Sequence, residues 1–145
     1  MEEVKRFNVR VYGWLTHPDL GVLTSVEKIQ GRIYRKFPGG GLELGEGIRD
    51  CLQREFMEEL DLPVRAGAHL YTTDFFQRSA FRPNEQVISI YMQAIPDKGS
   101  NERIGKLKAV EKDHRVEWIS LHNFHEDLFD LPTDRAFAQL MTEQK

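Results

Sequence analysis

The stretch from Gly40 to Leu62, GGLELGEGIRDCLQREFMEELDL, combines a glycine run, an apolar stripe and a cluster of acids. Residues 48 to 60 predict a helix because they are good helix formers and carry apolar side chains at helical spacing. The predicted stripe consists of Ile48, Leu52, Phe56 and Leu60. This helix is the best-defined element of the sequence, and the other predictions are built around it.

Three glutamates share one sector of the predicted helix. A helix advances about 100° per residue, so Glu55, Glu58 and Glu59 fall within roughly 100° of its surface, at the edge of the apolar stripe. Like charges at this spacing repel one another, and a position beside the core adds a cost of desolvation. A divalent cation removes both penalties, and Mg²⁺ commonly bridges carboxylates to substrate phosphates. The cluster therefore favours a Mg²⁺ site.

A glycine run precedes the helix. The segment Phe37-Pro38-Gly39-Gly40-Gly41 predicts a loop by composition. Gly39, Gly40 and Gly41 allow the backbone to approach a ligand closely, and exposed amides in such a loop can bind phosphate oxygens. Separately, a glycine run is usually a turn and adjacent glutamates are usually a solvated face. Together they indicate a site for a metal-bridged phosphate ester or anhydride.

The composition is that of one ordinary globular domain. The 145 residues predict a single domain over residues 1–145, and 40% hydrophobic with 30% charged residues exclude disorder for most of it. A net charge of -3 gives no basic footprint for a nucleic acid polymer. The single cysteine, Cys51, excludes an intrachain disulfide and favours a small buried hydrophobe. No apolar run approaches the length of a membrane span, so we expect no membrane partner and a cytoplasmic protein.

Strands and a second helix flank the central helix. Five strands are predicted, at Phe7 to Leu15, Gly21 to Ile29, His69 to Phe76, Gln86 to Ala94 and Arg115 to Leu121. A closing helix is expected from Asp134 to Met141, after the boundary residue Pro132. The order of strands, helix, strands and helix predicts an α+β fold with helices packed on a mixed sheet.

The stretch from Gly40 to Leu62 resembles the Nudix box, Gly-x5-Glu-x7-Arg-Glu-U-x-Glu-Glu-x-Gly-U, where U is a bulky aliphatic residue. The specified positions that match are Gly40, Glu46, Arg54, Glu55, Phe56, Glu58, Glu59 and Leu62. Asp61 replaces the family's glycine, which ends the helix in the left-handed conformation. Asp is one of the few other residues that tolerate this conformation. The flanking Phe37-Pro38-Gly39-Gly40 and Trp118-Ile119-Ser120-Leu121 also look like MutT-like Nudix proteins.

The resemblance implies an α/β/α sandwich around a mixed sheet. It also implies Mg²⁺-dependent hydrolysis, with Mn²⁺ as an alternative ion, of a nucleoside diphosphate linked to another moiety such as a nucleoside triphosphate. The implied metal ligands are Glu55, Glu58 and Glu59, with backbone help from Gly40. Arg54 would orient a box carboxylate, and Glu46 would support the junction of loop and helix.

The resemblance leaves the general base and the substrate open. A box glutamate could activate the water, or else Glu111 or Asp113. Asp134 stands where MutT-like enzymes use an asparagine to bind the base, and Arg78 could hold phosphates, although loop arginines are more often solvated.

Two functions remain as hypotheses. The first is an active Nudix pyrophosphohydrolase acting on a small nucleotide or diphosphate, with a homodimer as a plausible assembly. The alternative is a non-catalytic Nudix-fold domain that binds a nucleotide or has a regulatory role. The complete set of box acids favours the first, because a binding domain would be free to lose them.

Overall fold

The structure is a computed structural model that describes residues 2–109 and 111–144, and this part contains eight strands and two helices. The strands are β1 (Arg6–Trp14), β2 (Thr16–His17), β3 (Gly21–Ile29), β4 (Arg32–Lys36), β5 (Gly39–Gly41), β6 (Val64–Thr72), β7 (Glu85–Pro96) and β8 (His114–Ile119). The helices are α1 (Ile48–Leu60) and α2 (Pro132–Glu143), with short 3₁₀ turns at Lys98–Ser100, Ile104–Lys106 and Glu126–Leu128. No helix in this part of the chain is both long and apolar enough to cross a membrane.

The strands form two four-stranded sheets. The first is mixed and has the order β5-β1-β7-β6, in which β1 runs parallel to β7 and the other neighbours are antiparallel. The second is antiparallel, with β2, β4 and β8 all pairing with β3. The predicted α+β class with a mixed sheet is confirmed, and the second sheet is a feature that the sequence did not separate from the first.

The two helices cover different faces of the strands. Successive residues of a strand point to opposite faces, so Val11 packs in one core with Phe56 of α1, whereas Tyr12 packs in the other with Phe137 of α2. Gly13 lets α1 approach β1 closely, because a Cβ at this position would lie 2.6 Å from two atoms of the Phe56 ring. This arrangement fixes the face of α1 that turns toward β1 and β5.

Helix α1 has the bounds that the sequence predicts. Asp61 ends it in the left-handed conformation, with φ 49° and ψ 42°, which confirms the role expected for a replacement of the box glycine. Cys51 is fully buried, as predicted, and joins Leu52 in the core. Ile48 was expected in the apolar stripe but is 38% exposed, because it lies in the first turn of the helix, before the helix reaches the core.

Three local predictions are wrong. Residues 39–41 form β5 rather than a loop, because they pair antiparallel with β1. The strand predicted at His69 to Phe76 lies instead at Val64–Thr72, and Phe76 is largely exposed beyond its end. Helix α2 begins at Pro132 rather than Asp134, since proline suits the first turn of a helix.

Candidate active site

Glu55 lies directly against the backbone of Gly40. A Cβ at Gly40 would lie 2.5 Å from both carboxylate oxygens of Glu55, so only glycine leaves room for this approach. Burial raises the pKa of Glu55, and the neighbouring Arg54 guanidinium opposes this effect. The third helical turn therefore places a partly buried carboxylate beside a backbone segment that carries no side chain.

Glu59 lies one turn further along α1 and is more strongly perturbed. Burial raises the pKa of its carboxyl to about 8, and repulsion by Glu55 adds to the rise. The charge of Lys36 and the backbone N–H of Gly39 act in the opposite direction without cancelling it. The two glutamates thus share a site in which their negative charge is incompletely neutralised by the protein.

Arg54 connects the box residues on the other side of the cluster. Its Nε donates to Glu46 Oε2 at 2.6 Å, and its Nη1 donates to Glu55 Oε1 at 3.0 Å and to Glu58 Oε2 at 3.1 Å. Its Nη2 donates to the backbone oxygen of Gly41 at 2.9 Å. The hydrogen bonds from Arg54 lower the pKa of Glu46 to about 2. Arg54 therefore fixes the loop to the helix and orients Glu55.

Of the three carboxylates predicted to bind the metal, Glu58 lies apart from Glu55 and Glu59. The side chain of Glu58 is 58% exposed and turned toward Arg54, whereas Glu55 and Glu59 face the strands. Within residues 2–109 and 111–144, no group of three or more His, Cys, Asp and Glu side chains has the arrangement of a metal site. The donor chemistry nevertheless fits a hard cation, since two crowded carboxylates border a backbone that a Cβ would fill.

A cleft of about 640 Å³ opens beside Glu55. Its walls come from β1, β3, the glycine strand β5, the loop after β6 and the start of α2 with the residue before it. Of the three glycines predicted to bind phosphate, Gly41 lines this cleft. The amide of Gly39 faces Glu59, and Gly40 pairs with β1 and supports Glu55.

Charged residues that sequence reasoning missed form the floor of this cleft. Arg10 and Tyr12 line the cleft from β1, although the Tyr12 ring also packs in the core with Phe137, and Lys36, the last residue of β4, lies beside them. Lys36 is buried, yet the nearby Tyr12 and Glu27 outweigh the effect of burial and raise its pKa. The sequence carries a signal for these cleft residues, because polar side chains stand at every second position from Asn8. The same alternation also predicts a strand, and by itself it does not indicate a cleft.

A family comparison decides the identity of this arrangement. The model of the NUDIX domain family matches residues 6–140. The chain belongs to the Nudix family. It is a Nudix hydrolase, an enzyme that acts on pyrophosphate bonds.

Solved structures of Nudix proteins share this fold. The MutT protein from Methanosarcina mazei Go1 is 18% identical, with a TM-score of 0.71 over 99% of this chain and 97% of its own. A NUDIX hydrolase from Nitrosomonas europaea is 18% identical, with a TM-score of 0.66 over 95% and 90%. A MutT NUDIX hydrolase from Burkholderia pseudomallei is 19% identical, with a TM-score of 0.66 over 93% and 98%. At these low sequence identities, the structural similarity shows that the fold is shared and does not by itself show a shared substrate.

Asp134 is not placed for the direct contact with a base that the sequence suggested. Its side chain is fully buried, and Oδ1 accepts a hydrogen bond from the Tyr91 hydroxyl at 2.6 Å. Burial raises its pKa to about 6. The preceding residues of the same segment, Leu131 to Thr133, line the cleft instead. The prediction fails because the first turn of α2 directs Asp134 into the second core.

The remaining predicted residues lie at the edge of the site or outside it. Arg78 lines the cleft, and its Nη1 donates to the backbone oxygens of Glu2 and Pro83. Glu111 is 72% exposed and lies 3.8 Å from His114, outside the cleft. Asp113 lines a smaller cavity on the far side of Glu27. These positions bring the box glutamates, rather than Glu111 or Asp113, next to the cleft.

Proposed function

We propose that this Nudix hydrolase is a Mg²⁺-dependent pyrophosphohydrolase, able to use Mn²⁺, that cleaves a nucleoside diphosphate linked to another moiety. The observation that carries the proposal is the pair Glu55 and Glu59 at the edge of a cleft, where Glu55 lies against the side-chain-free backbone of Gly40 and Glu59 lies beside Gly39. The size of the cleft suits a small nucleotide rather than a polymer.

The metal would be held by Glu55 and Glu59, with the Gly40 backbone beside them and Glu58 approaching from the exposed side. When bound, the ion would neutralise charge on the diphosphate oxygens and acidify the attacking water. Carboxylate and carbonyl oxygens are the ligands that Mg²⁺ and Mn²⁺ prefer. Burial and then repulsion by Glu55 disfavour a charged Glu59, and a cation bound at this position would oppose both effects.

The other box residues would act as positioning residues. Arg54 holds Glu55 and Glu58 through Nη1, and Glu46 holds Arg54 through two hydrogen bonds of 2.6 and 3.0 Å. These contacts fix the carboxylates before substrate arrives, so less ordering is needed during the reaction.

The general base would be a box glutamate. Glu55 lines the cleft and Glu59 lies beside it, whereas Glu111 and Asp113 lie outside. The structure thereby supports one of the two alternatives that the sequence left open.

A hydrolysis screen tests the proposal. Nucleoside triphosphates, nucleotide sugars and dinucleoside polyphosphates are incubated with Mg²⁺, Mn²⁺ or EDTA, and released phosphate or pyrophosphate is measured. At least one class should turn over with either ion and not with EDTA. Glu59→Gln should reduce turnover by a factor of about 10² or more, whereas Glu143→Gln, an exposed glutamate at the end of α2, should not. Equal rates in EDTA, or full activity of Glu59→Gln, would refute the proposal.

A further inference from the structure

Arg10 presents a guanidinium to the cleft without a carboxylate partner. It lines the cleft together with Asn8 and Tyr12, which lie two positions away on either side of it along β1. Its Nε donates to the Tyr12 hydroxyl oxygen at 2.7 Å, and its central carbon lies 5.7 Å from the Tyr12 ring centroid. Among the described residues, no Asp or Glu oxygen lies within 4.0 Å of Arg10.

Two acidic side chains that line the cleft with Arg10 have closer partners of their own. Glu55 accepts from the box arginine at 3.0 Å. Glu27 Oε2 lies 3.7 Å from Lys36 Nζ and 3.0 Å from His114 Nε2. Lys36 thus has a close carboxylate partner, whereas Arg10 interacts with Glu55 and Glu59 only at longer range, which leaves its Nη groups able to bind a ligand.

The backbone opposite Arg10 leaves its terminal nitrogens accessible. Gly41 pairs with Arg10 across β5 and β1, and a Cβ on Gly41 would lie 3.6 Å from Arg10 Nη1. Because Gly41 carries no side chain, this side of the guanidinium borders the cleft. The same cleft wall carries Glu55, so a ligand at Arg10 would lie next to the proposed metal site.

We infer that Arg10 is a substrate-binding residue that holds a phosphoryl group of the substrate through its Nη groups, with Tyr12 as the positioning residue. The planar fork of arginine matches phosphate oxygens in two parallel hydrogen bonds. Tyr12 fixes the fork by occupying Nε, and its ring stacks on Tyr91 at 5.4 Å. The inference rests on the proposed function and assigns the phosphate chain of the substrate, rather than its base, to this part of the cleft.

Binding of inorganic pyrophosphate to the full chain with Mg²⁺, measured by isothermal titration calorimetry, tests the inference. Arg10→Gln should weaken binding by about 10- to 100-fold, the range expected for lost charged hydrogen bonds. The control Arg6→Gln removes the same charge from an exposed position on the same strand, outside the cleft, and should bind as the wild type does. Unchanged affinity in folded Arg10→Gln, or no pyrophosphate binding by the wild type, overturns the inference.

Tyr12→Phe tests the positioning role and decides the matter if Arg10→Gln does not fold. It keeps the ring and removes the hydroxyl that accepts from Nε, so pyrophosphate affinity should fall about 3- to 10-fold. With a nucleotide found in the hydrolysis screen, KM should rise while kcat is retained; unchanged KM counts against the role. A wild type without metal-dependent hydrolysis would instead refute the proposed function, which separates the two failures.

Discussion

Glu59 should make the stability of the metal-free protein fall as the pH rises. Its pKa increases from an ordinary value of 4.5 to about 8 on folding, because of burial and then of repulsion by Glu55. Between these values the folded state holds a proton that the unfolded chain has released. The resulting stabilisation is fully present below pH 4.5 and is lost as the pH rises to about 8. The difference of about 3.5 between the two pKa values corresponds to about 5 kcal/mol.

Urea unfolding in EDTA at a series of pH values from 4.5 to 9 measures this effect. The wild type should lose about 5 kcal/mol relative to Glu59→Gln across this range, because the variant cannot titrate at this position. Glu143→Gln is the matched control, since it removes an exposed glutamate and should follow the wild type. Saturating Mg²⁺ should flatten the wild-type curve above pH 7, because the cation replaces the proton. Parallel curves for wild type and Glu59→Gln would refute this account of the site.

Further predictions concern metal binding, the glycine strand β5 and two residues of the Nudix box. Mg²⁺ at about 100 times its Kd should stabilise the fold by about 2.7 kcal/mol, seen as a higher Tm that EDTA reverses; no shift at millimolar Mg²⁺ would count against the metal site. Gly40→Ala should keep the circular dichroism spectrum but lose the Mg²⁺-dependent shift, because its Cβ overlaps the Glu55 carboxylate; an undiminished shift contradicts this. Arg54→Gln should lower kcat and raise the pKa of Glu46 above about 2, a change that carboxyl titration by NMR would detect or exclude. Asp61→Gly should change the free energy of unfolding by about 1 kcal/mol or less, and a larger change in urea unfolding would reveal a role beyond the helix end.

The elements that the sequence predicted well have strong local signals. Helix α1 has the predicted bounds because Gly47 precedes it and its apolar residues keep helical spacing, and strand β3 has the predicted bounds because it begins at a glycine and is rich in β-branched residues. Strand β6 was misplaced because it begins with Val64-Arg65-Ala66-Gly67-Ala68, a run with little β propensity that is held by its pairing with β7. Such pairing depends on a distant strand and leaves no local pattern.

The residues of the site also differ in how well the sequence predicts their positions. The resemblance to the box identifies Glu55, Glu59 and Gly40 together, since one helix and the strand before it carry them all. Asp134 was misjudged because burial in the second core depends on how α2 docks, and spacing along the chain does not report that. The homodimer, the cytoplasmic location and the catalytic roles of the box residues stay predictions.

The parallel pairing of β1 with β7 has a consequence for the order of events during synthesis. Strand β1 is translated first, but its neighbour in the mixed sheet belongs to the second half of the chain, after the box helix. Contacts between distant segments slow folding, because the intervening loop must close before they form. A nascent chain that ends before β7 therefore exposes the apolar side of α1 and has no finished cleft, so a premature stop there should yield an aggregation-prone fragment rather than a partly active enzyme.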